Sequence, residues 1–123
     1  MQPCPCCGFK VFSQNWRWGS YAICPVCWWE DDPDQLRNPN LRSGANSKCL
    51  YQYQQQVIVD LKIPLGVMEI DSDTLSQRFK NNHWNSFCWH SLEKSTIWHR
   101  HKKWRPLNDS DRTKEFSDVY WQT

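Results

Sequence analysis

Two pairs of cysteines share one short spacing, Cys4-Pro5-Cys6-Cys7 and Cys24-Pro25-Val26-Cys27. A pair of cysteines set two residues apart on a tight turn can aim both sulfurs at one point, and two such turns supply four thiolates to a tetrahedral metal. The expected ligands are Cys4, Cys7, Cys24 and Cys27, holding one structural Zn2+, with iron as the other ion that the same four thiolates accept. Proline after the first cysteine of each pair presets φ, and Gly8 after Cys7 opens the left-handed conformation that turns amides toward sulfur. Cys6 lies between two presumed ligands, where a nearby metal would lower a thiol pKa. A nucleophile also needs a base partner, and none is identifiable. With no glycine-rich phosphate loop, serine elbow or paired-histidine helix motif, the expectation is a protein that is not an enzyme.

The segments between and after the pairs must position these sulfurs. Phe9-Lys10-Val11-Phe12 and Trp16-Arg17-Trp18 flank the polar Ser13-Gln14-Asn15, and Gly19-Ser20 precedes Tyr21-Ala22-Ile23. Short alternating runs separated by turn residues predict a hairpin that brings the two knuckles together, as in a zinc ribbon or a rubredoxin-like knuckle pair. Behind the second pair comes Trp28-Trp29-Glu30-Asp31-Asp32-Pro33-Asp34. An acidic run beside a metal tetrathiolate reads as a solvated turn ended by Pro33. It also reads as a contact patch in which Glu30, Asp31, Asp32 and Asp34 meet a basic partner; a magnesium or calcium site is the weaker reading, for want of oxygen ligands.

Composition sets the bounds. A chain of 123 residues with 39% hydrophobic content buries a modest core, for which a metal staple is a substantial support. The net charge of +2 argues against a general polyanion binder but permits local patches. Nine tryptophans serve either an aromatic core or a contact surface. Seven cysteines with no secretory signal point to a reducing, cytoplasmic setting in which Cys6, Cys49 and Cys88 are free thiols. No apolar run approaches the roughly 20 residues that span a bilayer, so no membrane partner is expected.

The motifs Pro3-Cys4-Pro5-Cys6-Cys7-Gly8, Gly19-Ser20-Tyr21-Ala22-Ile23-Cys24-Pro25-Val26-Cys27, Trp29-Glu30-Asp31-Asp32 and Gly44-Ala45-Asn46 occur in this order. Together they resemble the cysteine-rich CPCC domain family of small bacterial proteins, over about residues 3–58. The resemblance implies a metal knuckle, and for some members an immunity role or a toxin neighbourhood. Where relatives usually carry Ser-Leu after Gly-Ala-Asn, this chain has Cys49-Leu50, so a thiol replaces a helix-capping hydroxyl.

Leu50, Tyr53, Val57 and Leu61 recur at helical spacing, which together with the resemblance predicts a helix ended by Pro64 and Gly66. The chain thus divides into a knuckle domain, 1–66, and a tryptophan-, histidine- and lysine-rich extension, 67–123, packed on it. Ser72-Asp73-Thr74 starts a second helix bearing Leu75, Phe79, His83 and Phe87 on one face, with His83 a packed core histidine. A second zinc site from Cys88, His90, His99 and His101 would need ligands drawn across both parts of the extension. In the tail, Phe116, Val119, Tyr120 and Trp121 are expected to dock back onto the domain. The fold class is α+β: a knuckle hairpin, a following helix and a tryptophan-rich helical extension.

Two functions follow. The first is a non-catalytic zinc-binding module that contacts another protein, a toxin by family resemblance, through the acidic patch. The alternative is a zinc-ribbon nucleic-acid-binding protein whose run Trp98, Arg100, Lys102, Lys103, Trp104 and Arg105 offers cations to phosphates and rings to bases.

Overall fold

The computed structural model describes residues 1–60, 62–75, 77 and 96–122. They form a small mixed helix and strand fold with two two-stranded antiparallel sheets. Strand β1 (Gln2–Pro3) pairs with β2 (Lys10–Phe12), Gln2 opposite Phe12 and Pro3 opposite Lys10. Strand β3 (Glu69–Asp71) pairs with β4 (Ile97–His99), Ile70 opposite Trp98. An isolated bridge between Phe9 and Arg100 links the two regions.

The hairpin expected between the knuckles is not the one that forms. β2 pairs with the chain before the first cysteine, and Trp16–Trp18 is irregular. Each knuckle closes on itself instead: Cys4 N donates to Phe9 O (2.9 Å) and Gly8 N to Cys4 O (2.8 Å), while Cys24 N donates to Trp29 O (3.0 Å) and Trp28 N to Cys24 O (2.9 Å). The two turns repeat one backbone design, with a left-handed residue after each pair, Gly8 at φ 80° and Trp28 at φ 68°. The indoles of Trp16 and Trp18 join a ring series. Phe12 stacks on Trp16 at 4.1 Å, Trp16 meets Trp18 at 5.3 Å, and Trp18 meets Trp121 at 5.9 Å.

Pro33 does not end an exposed turn. It opens helix α1 (Pro33–Arg37), capped by Asp32, whose carboxylate accepts from Asp34 N (2.8 Å) and Gln35 N (3.4 Å). Asp before Pro satisfies the first free amides and presets the first helical φ. Helix α2 (Leu50–Val59) starts where periodicity placed it but ends at its cap Asp60, ahead of the expected stop at Pro64 and Gly66, and its buried stripe is Leu50, Tyr53, Gln54 and Val57. Cys49 stands at its N-cap with no side-chain hydrogen bond, as the exchange of hydroxyl for thiol implies. Leu61 lies outside the described residues.

Residues 72–75 and 77 are helical, and Asp71 rather than Ser72 supplies the cap, accepting from Thr74 N (2.7 Å) and Thr74 Oγ1 (2.9 Å). Phe79, His83, Phe87, Cys88 and His90 lie outside the described residues. From 96 onward the described extension is not helical, apart from a closing 3₁₀ turn at Tyr120–Gln122; it is β4 followed by irregular chain. The tail docks as expected: Phe116, Val119 and Tyr120 are buried. The core gathers the four paired cysteines with Phe9, Val26, Trp29, Leu50 and Tyr120 around the first knuckle and α2.

Candidate metal centre

The two knuckles meet sulfur to sulfur. Cys4, Cys7, Cys24 and Cys27 are fully buried, and their Sγ atoms all lie within 4.8 Å of one another. Cys4 to Cys27 and Cys7 to Cys24 are each 3.7 Å apart. A tetrahedron with metal–sulfur bonds of about 2.3 Å has sulfur–sulfur edges of about 3.8 Å, whereas a disulfide needs about 2.05 Å. The spacing therefore fits one metal ion held by four thiolates.

Local hydrogen bonds favour the ionised sulfurs. Cys6 N donates to Cys4 Sγ (3.4 Å), and Val26 N and Cys27 N donate to Cys24 Sγ (3.3 and 3.4 Å). Burial pushes the Cys4 and Cys27 thiols well above the usual thiol range. At Cys24 burial also acts upward, but hydrogen bonds from Cys27, Cys4 and Cys7 outweigh it and draw that sulfur well below the range. Four buried sulfurs this close, with backbone amides directed at Cys4 and Cys24, form a set from which a cation would displace the protons. Cys6 is only 2% exposed, and burial pushes its thiol up to about 11.

The first knuckle is also where the extension attaches. Pro5 O accepts from Trp104 Nε1 (2.9 Å) and Gln54 Nε2 (3.0 Å), and Gly8 O accepts from His101 N (2.7 Å). Arg100, 5% exposed, donates from Nε to Cys7 O (2.9 Å) and from Nη1 to Pro64 O (2.9 Å), Leu65 O (3.2 Å) and Val67 O (2.9 Å). Its guanidinium lies over the Phe9 ring at 4.6 Å and supplies positive charge near Cys7 and Cys27. Gln54 closes the junction, donating to Tyr120 Oη (2.7 Å) and accepting from Leu107 N (2.8 Å).

These contacts correct the nucleic-acid surface expected at 98–105. Arg100 and Trp104 are buried and serve the first knuckle, and Trp98 is partly buried. Arg105 is held by Asp111, with Nη1 to Oδ2 at 2.5 Å. Only Lys102 and Lys103 of the six are exposed and without an ion pair among the described residues.

The acidic patch is corrected in the same way. Asp31 and Asp32 are 0% and 4% exposed. Asp31 accepts from the amides of Gly19 and Ser20, and Asp32 caps α1 and takes Ala45 N (2.9 Å). Short carboxylates beside turns satisfy backbone amides more readily than they form a surface. Glu30 and Asp34 remain in reach of solvent.

Two amide side chains organise this region, Asn46 of the Gly-Ala-Asn motif and Gln35 on α1, the latter unmarked by any sequence motif. Asn46 pairs with the backbone of Glu30 like a strand neighbour, accepting from its N (2.9 Å) and donating to its O (2.7 Å). Gln35 donates to Leu41 O, Asn46 O and Lys48 O and accepts from Asn46 N. Gly44 is required because a Cβ there would sit 2.6 Å from Asp32 Oδ2. The Gly-Ala-Asn and Trp-Glu-Asp-Asp motifs are thus two halves of one lock behind the second knuckle. Their signal in the sequence is the pair of motifs itself, acids ahead of a helix start and an amide after a glycine.

Fold and site define a small mixed helix and strand protein with a buried four-cysteine cluster fit for a metal ion. Residues 2–61, just under half of the chain, match the family model described as Cysteine-rich CPCC. Comparison with curated proteins finds no match. Among the described residues no helix is long and apolar enough to cross a membrane.

Proposed function

We propose that this protein is a non-catalytic interaction module stapled by one structural zinc, and that it acts by binding another protein. Zinc suits the site because four buried thiolates at tetrahedral spacing leave no open coordination position for chemistry, as in zinc-ribbon knuckles. Cys6 is withheld from substrates by burial.

The observation that carries the reading is the outer face of the second knuckle. Tyr21 and Ile23 are each 51% exposed, and Glu30 is bridged directly to Ile23. Asp32, Asp34 and Glu30 raise the Tyr21 hydroxyl pKa after partial burial does, which sets this ring among carboxylates. An aromatic and an aliphatic anchor beside an acidic rim, on a loop whose ordering cost is met by the metal, suits a partner with an apolar pocket ringed by basic residues. The finer form of the proposal, an immunity-type inhibitor occupying the basic cleft of a toxin, rests on the family resemblance.

The test compares wild type with Tyr21→Asn/Ile23→Ser and with Glu30→Gln/Asp34→Asn. Asparagine is chosen because Tyr21 sits at φ 63°. The apolar pair of changes should abolish capture of the partner from native extract, and the acidic pair should slow its association, with metal content unchanged in both. Equal capture by all three proteins refutes this surface.

A further inference from the structure

Lys10 on β2, His99 on β4 and the turn 101–103 converge on one cavity of about 480 Å³. Its walls carry Lys10, Lys102, Lys103, His99 and His101, with Glu69 as the carboxylate present. Glu69 is engaged with His99 Nδ1 at 3.4 Å. Among the described residues none of the three lysines has a carboxylate within ion-pair distance, so the cavity holds uncompensated positive charge. Its size falls within the roughly 300–1,000 Å³ of small-molecule sites.

The polar geometry narrows the ligand. Lys103 N donates to His101 Nδ1 (3.1 Å), so the neutral ring carries its proton on Nε2 and can donate there. Burial, then the charges of Lys10 and Lys103, hold His101 below the ordinary imidazole pKa. Burial is the largest cause, and the charged amino terminus acts on the ring in the same direction as the two lysines. The planar fork of Arg100, which would suit a carboxylate, is turned inward onto backbone carbonyls. What remains are point-charge ammonium groups from two segments and one directed imidazole, a set that matches the several oxygens of a tetrahedral anion.

We propose that this cavity binds a phosphate ester, with Lys10, Lys102 and Lys103 supplying charge and His101 a directed hydrogen bond. The phosphate comes either from a free nucleotide or from a polynucleotide strand.

The test follows the His101 ring and the amides of residues 101–103 by NMR, in the metal-loaded full chain at low salt. Inorganic pyrophosphate is the probe, and ATP and a short single-stranded oligonucleotide form two further arms. Pyrophosphate should move these signals and raise the His101 pKa by about one pH unit or more. Lys10→Ala/Lys103→Ala should lose the response; these side chains reach solvent, and Lys102→Ala/Lys103→Ala serves if the first variant fails to fold. An ATP response that equals or exceeds that of the strand identifies the free nucleotide as source. A tighter strand response, with a salt dependence that falls by about one power per lysine removed, identifies the polynucleotide. No response to millimolar pyrophosphate, or one undiminished in a folded lysine variant, overturns the proposal.

Discussion

Replacing Gly8 by alanine should damage this protein far more than its small size suggests. Gly8 follows the first cysteine pair at φ 80°, where an L-residue costs about 1–2 kcal/mol. A Cβ there would also lie 2.4 Å from both Cδ2 and Cε3 of Trp104. That indole cannot simply swing away, because Trp104 is 8% exposed and its Nε1 is anchored on Pro5 O at 2.9 Å. Overpacking of this kind costs about 1–3 kcal/mol. The expected loss for Gly8→Ala is therefore about 2–5 kcal/mol, read by urea denaturation of the metal-loaded protein. Gly66→Ala is the control: a Cβ there meets nothing within 4 Å and the backbone is ordinary, so stability should change by less than about 0.5 kcal/mol. A cycle with Trp104→Leu separates the two causes, since the clash vanishes with the indole and the backbone cost remains. If Gly8→Ala is as stable as Gly66→Ala, or shows no coupling to position 104, the close seating of the extension on the first knuckle is wrong.

Cys4→Ser should lose the metal and the folded N-terminal half, whereas Cys49→Ser should keep the metal and gain up to about 1 kcal/mol by restoring a capping hydroxyl to α2; elemental analysis and thermal melts read both outcomes. Arg100→Gln removes donors from the carbonyls of Cys7, Pro64, Leu65 and Val67, and should cost about 1–3 kcal/mol and weaken metal retention against a chelator. Burial pushes the Asp31 carboxyl up to about 6, against the amides of Ser20 and Gly19, with Asp32 adding to the rise. Because the folded pKa lies above the unfolded value of about 3.9, the cost of the charged form is full above pH 6 and relieved as pH falls. Wild type should therefore gain about 0.8 kcal/mol relative to Asp31→Asn between about pH 7.5 and 5.5, and parallel stability profiles would rule this out.

The four-cysteine cluster was legible because its information is local. Four cysteines at one repeated spacing leave few alternatives, and each turn is built from its own few residues, so Cys4, Cys7, Cys24 and Cys27 could be named before the chain was folded. Helix α2 was legible for a similar reason, since Leu50, Tyr53 and Val57 mark one face and Cys49 shows where a capping hydroxyl is missing. Sequence by itself thus picked out the four cysteines that cluster, the main helix and the return of the aromatic tail. Only the tertiary structure decided which charges face solvent. Asp31, Asp32, Arg100 and Trp104 have the composition of a surface, yet each meets backbone groups that would otherwise be buried without partners: Gly19, Ser20 and Ala45 N–H, and the carbonyls of Pro5 and Cys7. Those groups come from segments up to 99 residues away. A charged or aromatic side chain carries no local mark of whether its partner will be water or a distant carbonyl, and that choice is made when the knuckles, α2 and the extension close on one another.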